Sequence, residues 1–459
     1  MTLATAHPPT QAAVAGQAAG ALSVPGGPGR TAGPRTDRRL RRTRILLTVG
    51  ALLFGVMGIT ETQIRADGAS DARSHSGVLI QQAEQLYHNL SDADATSATI
   101  YLHVGEAPKD LVQRYDDDLK RAQAALLAAT NEAGSDGAAK DALAQIAQQL
   151  PQYVKLNATA AANNLIGYPV GFRYLIQASN LMQGTSTQPG ILTAAQNLSD
   201  AAARDLAAAE DTATQFPWLT LVVGLLLLAA LLVVQVRERQ RTNRVLNVGL
   251  VGATIALVLS LAWTAGAFAI QNSHVDNARK RGSDQVRALA TARVLSLQGR
   301  TDEMLTLVGR GTADDKEAAF SGVGGTAVQL ESALQHALQI ATDHTGTSLA
   351  QAATGDEVAW KTQHQALWDL DQQNEYQKAV DSALGEHTYA APKPSANQSF
   401  QALQADLDKA INHAENSFQS EAKAADEALT GLEIGLGVLA VAMAAAVVVG
   451  LGRRIAEYQ

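Results

Sequence analysis

The sequence predicts an all-α membrane protein in which four transmembrane helices carry two tandem extracytoplasmic antiparallel four-helix bundles. Four apolar runs are each about as long as the roughly 20 helical residues that cross a bilayer. Alanine is abundant and only 4% of residues are aromatic, a composition that favours helices over strands. Long amphipathic segments with few turn signals separate the apolar runs, which agrees with bundles of helices.

The centre of the chain is a hairpin of two apolar runs, Trp218–Val236 and Val245–Ile270. A short basic connection joins them, and Glu238 is its only acidic residue. Basic connections between spans stay on the cytoplasmic side of the membrane. We therefore expect the loop to lie inside and its four arginines to couple to a cytoplasmic partner: Arg237, Arg239, Arg241 and Arg244.

The N-terminal region, residues 1–44, is rich in Pro, Gly and Ala and is expected to be disordered. It ends in RRLRRTR, directly before the apolar run Ile45–Thr60. A secretory signal peptide is the competing interpretation, because a basic region before a short apolar core is its signature. The basic region lies far from the start and no small-x-small cleavage motif follows, which favours an uncleaved span.

The predicted organisation alternates membrane spans with larger domains. Its segments are a cytoplasmic tail (1–44), span 1 (45–64), bundle 1 (65–215), span 2 (216–236), a basic loop (237–245), span 3 (246–270), bundle 2 (271–430), span 4 (431–452) and a cytoplasmic C-terminus (453–459). The formal net charge is −8, yet the three inner segments are all basic. This asymmetry fits basic segments inside and acidic domains outside a plasma membrane, and acidic domains argue against a nucleic-acid partner.

In bundle 1 the first helix is predicted by apolar and small residues spaced alternately by four and three, from Leu79 to Val104. Turns and prolines separate the later helices of this bundle: about Asp110–Asn131, a third segment that runs toward Gln183 and is interrupted at Pro151 and again at 167–169, and a fourth from Leu192 into span 2.

Bundle 2 repeats this plan. A shift of 204 residues places Leu86 on Ala290 and Leu90 on Val294, in the same helical phase. Later helices are predicted at about Ala327–Thr342, Asp356–Leu384 and from Ser395 into span 4, with HTGTS and a turn-rich stretch between them.

Catalytic signals are absent from the sequence. The ten histidines include no pair at the i, i+4 spacing of a helical metal site, and there is no phosphate-binding loop or nucleophile elbow. Asp116–Asp118 is more typical of a solvated helix face than of a cation site. We expect a protein that is not an enzyme and has neither a cofactor nor a metal.

Two groups of residues are candidates for contact with a ligand or partner. In bundle 1, Asn163, Asn164 and Arg173 flank a predicted proline kink and offer hydrogen-bond donors, although a kink filled by local polar contacts is the alternative. In bundle 2, Arg293 and Arg300 are candidates for pairing or for an interface. A solvated surface is the favoured alternative for both arginines and for the neighbouring Asp302-Glu303.

Trp360, His364 and Trp368 follow helical spacing, and we expect the aromatic pair to be core rather than a ligand cage. Glycines recur in the spans, for example Gly55 and Gly249. They permit close helix packing within the chain or in a homodimer, and they are also common in membrane helices generally.

Three stretches carry a resemblance to a known family: Ala162–Met182, Ala292–Gly311 and Trp360–Val380. With the four-span layout, the chain resembles the actinobacterial four-span membrane transducers associated with a glutamine-binding-type lipoprotein and a soluble Ser/Thr kinase of the protein kinase G type. More distantly, it is similar to the sensor halves of chemoreceptors and sensor kinases, although no cytoplasmic output module follows the spans.

The resemblance implies a bacterial plasma-membrane transducer. An amino-acid-binding lipoprotein of the periplasmic type would dock outside, and a cytoplasmic Ser/Thr kinase would be informed of amino-acid status inside. A passive envelope scaffold or accessory subunit of a transporter is one alternative, and direct sensing of a small ligand by either bundle is another.

Overall fold

The computed structural model describes residues 34–103, 106–134, 136–165, 170–185, 187–242, 247–385 and 394–456. Over these residues the chain is helical and has no β-strand. The helices are α1 (Pro34–Asp71), α2 (Gly77–Leu102), α3 (Lys109–Glu132), α4 (Gly137–Leu165), α5 (Val170–Gln183), α6 (Ile191–Ala213), α7 (Trp218–Thr242), α8 (Val248–Asn277), α9 (Asp284–Gly309), α10 (Asp314–Ser321), α11 (Thr326–Ile340), α12 (His344–Gln372), α13 (Tyr376–Leu384), α14 (Ala396–Glu427) and α15 (Leu432–Ala456).

Four helical segments are long and apolar enough to cross a membrane, and they include α1, α7, α8 and α15. These four helices pack as a ring in which α15 and α7 each contact both α1 and α8. Small residues allow the closest approaches: a Cβ on Gly249 would lie 2.5 Å from the Cα of Gly450. Gly249 therefore serves packing within the chain, whereas a Cβ on Gly252 would meet no atom within 4 Å.

The helices that leave the spans toward the bundles are continuous. α1 joins α2 through a π-helical segment at Ala72–Ser76, and α8 joins α9 through a second π segment at Ala278–Ser283. We call these two continuous helices the rods. The first rod spans Arg39–Leu102 (64 residues), and the second spans Val248–Gly309 (62 residues). On the return path, α6 and α7 are interrupted at 214–217, so the predicted unbroken passage from bundle 1 into span 2 is wrong.

The bundle helices form one body. α2, α3, α4–α5 and α6 pack together, as do α9, α11, α12–α13 and α14, and α2 packs directly against α9. Val294 of α9 lies in the hydrophobic core of the first group, and Ala95 of α2 lies in that of the second. The two predicted bundles therefore share a seam, with α2 and α9 as its central pair.

The repeat has a slightly different offset from the predicted one. α2 and α9 are both 26 residues long and begin at Gly77 and Asp284, 207 residues apart. Three residues turn an α-helix by about 300°, so the predicted offset of 204 aligns the faces of the two helices to within about 60°. Periodicity alone could not distinguish the two offsets.

Several element boundaries also differ from those predicted. Residues 34–44, placed in the disordered tail, are helical, because arginine is a good helix former and the adjoining span supplies the helix nucleus. Helix α7 runs on to Thr242, so most of the predicted loop 237–245 is helical as well. Residues 1–33, 243–246 and 457–459 lie outside the described residues.

Within the bundles, α4 passes through Pro151 without a break, so the predicted interruption there is wrong. The HTGTS stretch is the start of α12 rather than a turn: the Asp343 side chain caps this helix by accepting a hydrogen bond from the backbone N–H of Gly346 at 2.8 Å. The short helix α10 was not predicted.

Candidate signalling site

The central pair α2 and α9 carries polar side chains that other helices enclose. Asp94 of α2 accepts hydrogen bonds from Tyr153 at 3.2 Å, Ser179 at 3.2 Å and Gln183 at 3.1 Å. Burial raises the pKa of the Asp94 carboxyl, and the hydrogen bonds from Gln183 and Ser179 counteract this in part. One carboxyl on α2 thus holds α4 and α5 in place.

A second network surrounds His364 of α12. Its Nδ1 lies 3.0 Å from Glu303 of α9, and its Nε2 lies 3.2 Å from Glu317 of α10. Burial disfavours the charged ring, but the hydrogen bonds to Glu303 and Glu317 outweigh this and raise the pKa of His364 to about 9. Arg300 pairs with Glu303 on its other side, so the network holds two cations and two carboxylates.

The two networks approach each other across the seam. Asp302 of α9 is buried, and burial raises the pKa of its carboxyl to about 7. Lys316 lowers this pKa, whereas the nearby Asp94 raises it. Lys316 also donates a hydrogen bond of 3.4 Å to Asn180 of α5, which links the two halves directly.

The aromatic residues of bundle 2 belong to the core, as expected for Trp360. Its ring is fully buried between Phe320 and Phe400, with ring centroids 5.3 Å from each. Phe320 also packs on the His364 ring at 4.0 Å. Trp368 is half-buried. Among the described residues no cluster of His, Asp or Glu side chains is arranged to hold a metal ion.

The π segments lie where the rods pass from the spans into the bundles, and both contact Phe418 of α14. A Cβ on Gly77 would lie 3.2 Å from the Phe418 ring, and one on Gly282 would lie 2.5 Å from the Phe418 Cβ. Ala72, Ala278 and Phe418 share one small hydrophobic cluster. The two rods are therefore in contact with the same side chain just beyond the membrane.

Glu61 and Arg65 of α1 clamp the break between α6 and α7. The Glu61 carboxylate accepts hydrogen bonds from the backbone N–H groups of Leu219 at 3.0 Å and Thr220 at 3.3 Å. Arg65 donates to the carbonyls of Thr214 and Gln215 at the end of α6. Each charge thus binds the helix terminus of opposite partial charge.

Arg65 also reaches the other rod. Its guanidinium donates hydrogen bonds to Gln271 at 2.7 Å and Asn272 at 3.0 Å, and it lies 4.0 Å from the Phe268 ring, all on α8. The sequence analysis did not identify Glu61 or Arg65. Glu61 and Arg65 are four residues apart at the end of an apolar run, and this spacing was the signal in the sequence that could have identified them.

At the opposite end of the spans, Arg237 and Arg239 are exposed on the last turns of α7. The side chain of Arg241 and the whole of Arg244 lie outside the described residues. Nearby, Asn247 caps α8 and its side-chain nitrogen donates to the carbonyl of Gly450 on α15 at 3.0 Å.

The predicted contact residues of bundle 1 do not converge on one point. Asn163 donates to the carbonyl of Thr159 one turn back, at 2.8 Å, and Asn164 donates to the carbonyl of Tyr101 at 3.3 Å. Arg173 is exposed. The proline kink itself falls within 166–169, outside the described residues.

The favoured solvated surface on α9 is wrong. Arg300, Asp302 and Glu303 are buried because α9 lies at the centre of the body. The remaining donors of Arg300 bind the carbonyl of Ala383 and the Asn397 side chain. Arg293 is mostly buried too and pairs with Asp408 of α14 at 2.9 Å.

Comparison with known proteins adds one finding. Residues 68–211 match the family model described as the actinobacterial sensor domain. This segment runs from the end of α1, through the first π segment, to the end of α6, and the match indicates a sensing or signalling role. No match was found among curated proteins or among solved structures.

Proposed function

We propose that this protein is a multi-pass signal transducer of a bacterial plasma membrane and is not an enzyme. The observation that carries the proposal is the continuity of the two rods, because each joins a span to a central helix of the body without a break. A change in the packing of α2 against α9 would then reach the spans as a small rotation or axial shift.

In this proposal the body lies outside the cell, and both termini and the connection between α7 and α8 lie inside. The distribution of charge supports it: the exposed Arg237 and Arg239 lie at the end of α7 remote from the bundles. The four spans and the arrangement of the body at one end of them agree with this topology.

The input and output of the transducer rest on the family resemblance. A loaded amino-acid-binding lipoprotein would dock on the body, and a soluble cytoplasmic Ser/Thr kinase would receive the signal at the inner ends of the spans. Asn163, Asn164, Arg173 and Arg293 remain candidates for the outer contact. The candidates for the inner contact are Arg237, Arg239, Arg241 and Arg244.

Crosslinking in cells, followed by purification of the full chain, tests these partners. Recovery of a solute-binding lipoprotein and a kinase supports the relay, whereas recovery of permease subunits or cell-wall enzymes instead contradicts it and favours a scaffold or transporter subunit. Deleting residues 1–34 and, separately, neutralising the arginines of 237–244 should each change kinase-dependent output. If neither variant does, relay through those inner segments is wrong.

A further inference from the structure

The segments that adjoin the spans on the side remote from the bundles use arginine and no lysine. Residues 1–44 contain seven arginines, 237–245 contain four and 453–459 contain two, and no lysine occurs in these three segments. The rest of the chain contains eleven lysines and twelve arginines, so lysine is not avoided in general. Because lysine and arginine serve equally to hold a segment on the cytoplasmic side, topology alone does not explain the exclusive use of arginine.

Exposed arginines continue the lipid-facing surfaces of three spans. Each of them is four residues from an apolar residue that is exposed on the same span: Arg42 and Leu46 on α1, Arg237 and Val233 on α7, and Arg453 and Val449 on α15. Residues four apart lie on one face of an α-helix, about one turn from each other. These guanidinium groups therefore lie where the hydrocarbon core gives way to the lipid headgroups.

The arginines belong to one end of the packed ring of spans. Helix α1 contacts both α7 and α15, and Leu40 at its start still packs against the core of the spans. At this end Arg44 lies 3.8 Å from the Cβ position of Gly452. Within the described part of the chain, five exposed arginines here form no ion pair with a carboxylate: Arg39, Arg42, Arg237, Arg239 and Arg453. Their donors are available to an anion outside the chain.

Arginine and lysine differ in how they bind phosphate. A guanidinium is planar, weakly hydrated and able to donate two parallel hydrogen bonds to two oxygens of one phosphate, whereas an ammonium is a compact, strongly hydrated point charge. A bilayer presents phosphate groups at the depth of these side chains, and anionic lipids attract basic residues there. The long apolar stem of arginine can cover neighbouring apolar surface while its charged end reaches the headgroups.

We propose that Arg39, Arg42, Arg237, Arg239 and Arg453 form a surface that binds the phosphate groups of anionic phospholipids. We call these five residues the arginine rim. A lipid beside α1 binds the rim through its phosphate, while its acyl chains contact the exposed apolar residues of the same helix. The inference requires that the chain cross a membrane. It goes beyond the proposed function, because it does not require that the protein transmit a signal.

Association of spin-labelled lipids with the full chain in phosphatidylcholine vesicles tests the arginine rim. Electron paramagnetic resonance measures the fraction of labelled lipid that the protein immobilises. Spin-labelled phosphatidylglycerol should associate roughly fivefold more strongly than spin-labelled phosphatidylcholine, which is the effect of about one basic residue at the membrane surface. High salt should reduce this preference, because the rim is exposed. Equal association of the two lipids would overturn the proposal.

Two variants in which all five rim residues are replaced separate phosphate recognition from charge. Replacement by Gln should lower the association of phosphatidylglycerol to about that of phosphatidylcholine. Replacement by Lys keeps every charge, and with it the topology, but removes the contact with two phosphate oxygens, so we expect at least half of the preference to be lost. An unchanged preference in the Lys variant would overturn the assignment to pairing of guanidinium with phosphate.

A matched control removes the same number of positive charges from the bundles. In it, Gln replaces five exposed lysines: Lys109, Lys120, Lys140, Lys155 and Lys409. This control should keep the full preference for phosphatidylglycerol. If it loses as much as the Gln variant of the rim, net charge rather than the rim is responsible and the proposal is overturned.

The rim residues Arg237 and Arg239 are also candidates for contact with the kinase. If the rim serves a protein partner and no lipid, its Gln variant keeps the preference for phosphatidylglycerol, and the proposal is wrong. A rim-dependent lipid preference, together with the absence of a kinase from the crosslinked material, would support the lipid surface and contradict the proposed function alone.

Discussion

Charged side chains on α2 and α9 are buried because these helices face neighbours on every side, and Asp94, Arg300 and Glu303 each have specific partners there. The sequence could not reveal this, because the four-three spacing of apolar residues predicts one packed face, whereas neighbouring helices enclose the other faces as well. Arg300 and Glu303 are spaced like an exposed surface pair, three residues apart. Only the packing of α2 against α9 makes that pair internal.

His364 makes the stability of the second bundle depend on pH. Its pKa of about 9 in the folded protein exceeds the ordinary value of 6.5, so its stabilising contribution is complete below pH 6.5 and is lost as the pH rises through 9. The expected loss is about 3 kcal/mol. Thermal unfolding of the purified protein between pH 6 and 10 should show it, and H364Q should flatten the profile. An identical profile in H364Q would contradict this assignment.

Arg65 should be among the most sensitive positions near the membrane. R65M leaves the carbonyls at the end of α6 and the side chains of Gln271 and Asn272 on α8 without their partner, so we expect a loss of roughly 2–4 kcal/mol in unfolding free energy. R73M is the matched control, because Arg73 is about a third exposed and forms a single ion pair with Asp426. That pair should contribute at most about 1 kcal/mol. We would measure both variants by thermal unfolding. If R65M and R73M lose the same unfolding free energy, the assignment of Arg65 as the residue that joins α6 to α8 is wrong.

At the scale of elements, hydrophobic periodicity was sufficient to predict the spans, the opening helix of each bundle and their common phase. It could not predict the π segments, because an extra residue in one turn leaves the apolar pattern on both sides intact. It also missed the break at 214–217, since Phe216 and Trp218 continue the apolar character of the span. Pro217, directly before α7, was the local signal for this break, because proline disfavours the α conformation of the residue that precedes it.

The π segments predict an unusual tolerance to deletion. A π turn holds one more residue than an α turn, so deleting the exposed Ser74 should convert the first segment to α-helix and keep the flanking helices in phase. Deleting the exposed Gln85, in regular helix, should instead rotate the rest of α2 by about 100° and unfold the body. Circular dichroism and thermal unfolding distinguish the two. Equal damage from both deletions would contradict the interpretation of the π segment as a removable insertion.

At the scale of the whole molecule, the two groups of bundle helices pack as one body. Each half contributes one central helix, and Val294 and Ala95 each enter the core of the other half. The sequence predicted two halves but not their fusion, because contacts between halves leave no periodic signal.

The proposed topology can be tested directly because the chain has no cysteine. Single cysteines replacing Leu127 on α3 and Val323, both exposed in the body, should react with a membrane-impermeant maleimide on intact cells. A cysteine replacing the exposed Arg239 on α7 should react only after the cells are opened. If the R239C variant reacts in intact cells as fast as the L127C and V323C variants, the assigned sidedness is wrong.

The central claim is that conditions outside the cell change the arrangement of the spans at their inner ends. Arg44 of α1 reaches within 3.8 Å of the Cβ position of Gly452 on α15, so a cysteine pair there reports this contact. We would measure the rate of crosslinking of Arg44Cys with Gly452Cys by a permeant bifunctional reagent in starved cells and in cells given amino acids. The account predicts different rates in the two conditions. Equal rates in starved and supplied cells would contradict it.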